Sequence, residues 1–149
     1  MKKFLKIVAI IFAVGFIAIQ FFRPDFTNPP FNQAEVLQTP ENIQKILRTS
    51  CYDCHSHETV YPWYAKVQPS AWFLADHINE GRRHLNFSVW NTYEPRRQAK
   101  KLEEICEEVK GGYMPLPSYL WIHWDAKLNE EQVQALCDWT NIEKSKITG

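Results

Sequence analysis

Cys51-Tyr52-Asp53-Cys54-His55 is the stretch whose residue types and spacing can do chemistry. Two thiols three positions apart share one face of a helix, so both can reach the two vinyl groups of one porphyrin. The histidine that follows at once can offer a ring nitrogen to the iron, which makes the pentad the attachment signature of one haem c. A disulfide or half of a zinc site would use the same residues. Zinc, however, calls for further ligands, usually as a second paired cluster, and Cys106 and Cys137 each stand alone. They sit at apolar helix positions, where a disulfide between them and two buried thiols are both open readings.

The second stretch with chemical content is Gly111-Gly112-Tyr113-Met114-Pro115-Leu116-Pro117. Met114 is one of two methionines, the other being Met1. A thioether opposite a histidine favours reduced iron and suits an electron carrier. Glycines and prolines on either side would hold it in a fixed loop, so Met114 is the expected opposite axial ligand to His55, although a lone loop methionine also serves for packing. Among the other histidines, His57 is too near His55 to reach the far ring face, and His77 and His84 fall on or just after a helix. His123, nearest Met114 in sequence, is the runner-up.

Recognisable helices must position these groups. Thr39 and Pro40 open a helix with Glu41 in its first turn and Ile43, Ile46 and Leu47 as one stripe running into Cys51. Pro69 to about Arg83 reads as a second helix whose end Gly81 loosens, and Asn86 to Asn91 as loop. Pro95 to Lys110 is a third, with Leu102, Ile105, Cys106 and Val109 inward and Gly111-Gly112 as its stop. Its opposite face, with Lys100, Lys101, Glu103, Glu104, Glu107 and Glu108, reads as solvated and paired by Lys100–Glu104. Arg82, Arg83, Arg96 and Arg97 read as solvated rather than as partners of haem carboxylates. Asn129 caps a last helix with Glu130-Glu131 in its first turn, and its inner stripe is expected to cross the helix of residues 40–50.

The amino-terminal end is read separately. Met1-Lys2-Lys3 precedes an apolar run from Phe4 to Phe22, broken by Lys6, Gly15 and Gln20. No small-x-small cleavage site follows, so the sequence predicts an uncleaved signal anchor rather than a removed signal peptide. The lysines before it and the single Arg23 after it place the remainder outside the cytoplasmic membrane, on the periplasmic side. The expected organisation is a transmembrane helix over 1–23, an extended Pro-containing linker over 24–38, and a c-type haem-binding domain over 39–149. Net charge is zero, yet Lys2, Lys3, Lys6 and Arg23 precede every acidic residue, so the remainder is net acidic. Without a basic face it is not a nucleic-acid binder.

The strings Ser50-Cys51-Tyr52-Asp53-Cys54-His55-Ser56, Tyr61-Pro62-Trp63-Tyr64, Asp76-His77-Ile78, Gly81-Arg82-Arg83-His84-Leu85-Asn86-Phe87-Ser88 and Met114-Pro115-Leu116-Pro117-Ser118-Tyr119 resemble the exported haem-binding domain family of small c-type cytochrome-like proteins, from about Glu35 to Thr140. The resemblance implies covalent haem on Cys51 and Cys54 with His55 as axial ligand. Met114 rests on the wider cytochrome c pattern. The expected fold is an all-α, mono-haem, cytochrome c-like domain behind one transmembrane helix. The expected function is single-electron transfer to a membrane-bound or periplasmic redox partner. Two other readings stay open: a haem-based sensor or peroxidase-like protein with an open iron coordination position, and a haem-free structural or thiol-redox module. No Ser/His/Asp set, Gly-rich phosphate loop or paired carboxylates support a catalytic role, so the chain reads as a carrier and not an enzyme.

Overall fold

The computed structural model describes residues 1–149 and contains helices and no strand. Helix α1 spans Lys2–Ile19, α2 Glu41–Ser50, α3 Tyr52–His55, α4 Ser70–His84, α5 Pro95–Lys110, α6 Pro117–Leu120 and α7 Glu130–Thr148. Four 3₁₀ segments, Gln33–Glu35, Trp63–Lys66, Phe87–Thr92 and Trp124–Ala126, fill the connections.

Local chemistry accounts for the longer elements. In α2 the apolar positions Ile43 and Leu47 are buried four residues apart, on one face. The helix breaks at Cys51, whose φ of −130° leaves helical geometry, and α3 restarts at once. In α5, Pro95 occupies the first turn and Ala99, Leu102, Ile105 and Val109 form the buried stripe. Helix α7 opens with a reciprocal capping box: Gln132 N donates to Asn129 Oδ1 at 2.8 Å, and Asn129 N to Gln132 Oε1 at 3.0 Å.

These elements bury two apolar clusters. The larger joins Ile43 and Leu47 of α2, Tyr52, Phe87, Trp90, the α5 stripe, and Leu136, Cys137 and Trp139 of α7. The smaller joins Leu74 and Ile78 of α4 with Ala65. Cys51 packs against the larger cluster and Cys54 against the smaller, so the pentad lies on the seam between them. Residues 24–38 lie along the domain: Phe26 packs on Tyr61, Leu37 is buried, and Leu37 N donates to Phe87 O at 2.9 Å.

The structure corrects several expectations. No helix is long and apolar enough to cross a membrane. Lys2, Lys3 and Lys6 occupy the first turns of α1, and the uncharged remainder, Ile7–Ile19, extends about 20 Å at 1.5 Å per residue, against roughly 30 Å of hydrocarbon. The all-α reading of the domain stands. The transmembrane helix over 1–23 does not, nor does the single-pass location on the cytoplasmic membrane that depended on it. Helix α7 packs chiefly on α5 and only lightly on α2; Cys106 and Cys137 form a disulfide across that pair, which closes the question the sequence left open. Residues 86–91, expected as loop, are mostly 3₁₀ and carry buried Phe87, Ser88 and Trp90.

Candidate functional site

The turn at the end of α2 builds the site. His55 N donates to Cys51 O at 2.9 Å and Cys54 N to the same oxygen at 3.2 Å, closing one tight turn around the two thiols. Asp53, between the cysteines, ties this turn to its surroundings: Val60 N donates to Oδ1 at 2.9 Å and the Tyr119 hydroxyl to Oδ2 at 2.8 Å. Ser56 Oγ, fully buried, donates to Tyr52 O at 2.8 Å. Arg82 crosses from α4 to donate to Ser56 O at 2.8 Å and to Thr59 Oγ1 and Asn28 Oδ1 at 2.9 Å. It is a bracing residue, not the solvated arginine expected.

Helix α4 approaches the turn closely because residue 81 has no side chain. A Cβ there would lie 2.6 Å from Cys54 O. The approach brings the carbonyls of Gly81 and Leu85 each to 3.0 Å from His55 Nδ1. A carbonyl only accepts, so Nδ1 carries the proton and Nε2 keeps its lone pair. Burial holds His55 below its ordinary pKa despite these two bonds, so the ring is neutral at pH 7. The edge of Phe87, itself stacked on Tyr52 at 5.3 Å, backs the imidazole at 6.3 Å.

Cys51, Cys54, His55 and Met114 line one cavity of about 500 Å³, within the roughly 300–1,000 Å³ usual for small-molecule and cofactor sites. Leu85, Phe87, Ile105, Val109, Pro115 and Leu116 supply its apolar walls. Met114 is set there by the end of α5. Gly112 takes a φ of +70°, open to glycine at little cost, and the chain folds back so that Tyr113 N and Met114 N both reach Glu108 O, at 3.0 and 3.3 Å. His77 and His84 of α4 line the cavity as well. His123, the runner-up ligand, does not: its Nε2 lies 2.9 Å from the Tyr64 hydroxyl and its ring stacks on Tyr119 at 4.2 Å. His57 bonds Asn86 at 2.8 Å through Nε2 and lies outside the cavity.

Both cavity cysteines are free thiols. Burial, with Cys54 beside it, pushes Cys51 up to about 12; burial, with Asp53, pushes Cys54 up to about 11. Neutral thiols are poor nucleophiles in disulfide exchange, whereas dithiol redox motifs lower a cysteine's pKa.

Sequence reasoning missed four contributors: Gly81, the Leu85 carbonyl, Tyr119 and Lys101. Lys101, Glu104 and Glu108, read as solvated, line the cavity. The signal was present in part, since Lys101, Ile105 and Glu108 fall at i, i+4, i+7, a stripe flanking the core face. The Lys100–Glu104 pair is present at 3.6 Å.

The donor set suits an iron porphyrin better than a bare ion. No three His, Cys, Asp or Glu side chains are grouped to hold a metal ion, while two neutral thiols, one imidazole with a free Nε2 and a thioether share an apolar cavity. Residues 14–142 match the model of a family described as a haem-binding domain. No curated protein and no solved structure matches the chain. With most of its length inside that match, the chain belongs to the haem-binding domain family, and haem is its cofactor.

Proposed function

We propose that the cavity holds one haem c, joined as thioethers to Cys51 and Cys54, with His55 and Met114 as axial ligands, and that the protein carries single electrons to and from redox partner proteins. The observation that carries this reading is His55: its Nδ1 is bonded by two carbonyls at 3.0 Å, and it shares one cavity with Cys51, Cys54 and Met114. When bound, haem supplies the one-electron iron chemistry.

The chain's own residues do the rest. The carbonyls of Gly81 and Leu85 fix the His55 tautomer and ring plane, and so leave Nε2 as the ligating atom. Leu85, Phe87, Ile105 and Val109 exclude water, which lessens reorganisation around the iron. The fold-back after Gly112 holds Met114 at the cavity, and a thioether there would raise the reduction potential. A filled second axial position favours electron transfer; an open one favours a sensor or peroxidase-like role.

The optical spectrum of the Met114→Ala protein tests this. The loaded wild-type protein is expected to be six-coordinate and low-spin. Met114→Ala is expected to turn it high-spin and open it to carbon monoxide. An unchanged spectrum would remove Met114 as ligand, and His77→Ala would then show whether that histidine takes its place. A wild-type protein already high-spin and reactive with peroxide would defeat the carrier reading.

A further inference from the structure

We propose that Lys101 is the haem-carboxylate anchor of the cavity, the residue that fixes which edge of the porphyrin turns toward α5. The inference rests on the cavity holding haem and goes beyond the thiol and axial contacts.

Haem carries two propionates, both anionic at neutral pH. The cavity that must accept them is lined by Asp53, Asp76, Glu80, Glu104 and Glu108, against one lysine or arginine, Lys101. Two acids are already engaged: Asp53 accepts from Val60 N and Tyr119, and Glu80 pairs with Arg83. Asp76 and Glu108 are exposed acids with no ion-pair partner, and they repel a propionate from their edges of the cavity. Lys101 is the one fixed cation that attracts it.

The side chain of Lys101 is 15% exposed, whereas that of Lys100 is 74% exposed. No arginine lines the cavity: Arg82 braces the turn after the pentad, Arg83 pairs with Glu80, Arg97 lies over the Tyr93 ring at 4.1 Å, and Arg96 is exposed. Glu104 holds Lys101 in place and also faces Lys100. When a propionate takes up Lys101, Glu104 keeps Lys100 as a partner, so the exchange strands no half-buried carboxylate. A charge-assisted bond from the ammonium to a propionate then orients the cofactor.

The test is titration of the full apo-protein with haemin and with haemin dimethyl ester, whose propionates carry no charge, followed by absorbance. Wild-type protein is expected to prefer haemin by roughly tenfold, the size of one charge-assisted contact. Lys101→Gln should bind the two equally, while Lys101→Arg and Lys100→Gln keep the preference. Equal binding by wild type, which needs no substituted protein, would overturn the proposal, as would a preference undiminished in Lys101→Gln. Failure of wild type to bind either compound would overturn the anchor as a determinant of haem capture, whereas covalent attachment is read separately from the intact mass of the matured protein.

Discussion

Gly81→Ala is expected to destabilise the protein by about 2 kcal/mol and to loosen the iron-binding histidine, although alanine is the better helix former. In a helix interior the exchange of glycine for alanine ordinarily stabilises by about 1 kcal/mol. Here the new Cβ would lie 2.6 Å from Cys54 O and 3.1 Å from Cys54 C and Cβ. Two of these are backbone atoms of the turn that presents the thiols, so neither side can yield without moving α4 or the pentad. Moving α4 stretches the bonds from His55 Nδ1 to the Gly81 and Leu85 carbonyls. The overlap outweighs the helix gain. Thermal unfolding should drop by roughly 4–8 °C, and the loaded variant should show a weakened or heterogeneous low-spin spectrum. A midpoint at or above wild type would mean that α4 does not press on the pentad as described.

Replacing Cys106 and Cys137 together by alanine should cost about 3–4 kcal/mol, the loop-closure value for cysteines 31 positions apart. The midpoint should fall by roughly 10 °C or more. The disulfide joins α5 to α7, and α5 carries Lys101, Ile105 and Val109 of the cavity wall. The variant is therefore expected to hold haem at low temperature but to lose the native spectrum earlier on heating. Alkylation of the unfolded, unreduced apo-protein should label Cys51 and Cys54 alone. Four labelled cysteines, or an unchanged midpoint, would contradict the pairing.

Much of the site was legible because its chemistry is local. The pentad, the helix that feeds it and the glycine-proline loop around Met114 are each contained within about a dozen consecutive residues, where caps, stripes and stops act. What was not legible is contributed across the chain. Gly81 read as a residue that loosens a helix end; its lack of a Cβ in fact allows a close approach to a turn 27 residues earlier. Arg82 read as solvated, because nothing in its own helix announces Ser56, Thr59 and Asn28. The charged side of α5 read as a single solvated face, because periodicity separates core from non-core but not cavity from bulk water. His123 stood second to Met114 on sequence proximity, and its bond to Tyr64 and stack on Tyr119 turn it elsewhere. In α1 the apolar run was counted through Lys6 and on to Phe22, whereas the helix ends at Ile19.

Covalent attachment of one haem to Cys51 and Cys54 is read from the intact mass of the denatured protein after production with a haem-attachment system. Wild-type protein is expected at a mass higher than the polypeptide by one haem, a Cys51→Ala or Cys54→Ala protein with at most a single thioether, and the double variant at the bare polypeptide mass. A wild-type protein that shows a haem spectrum when folded, yet the bare polypeptide mass when denatured, would contradict it.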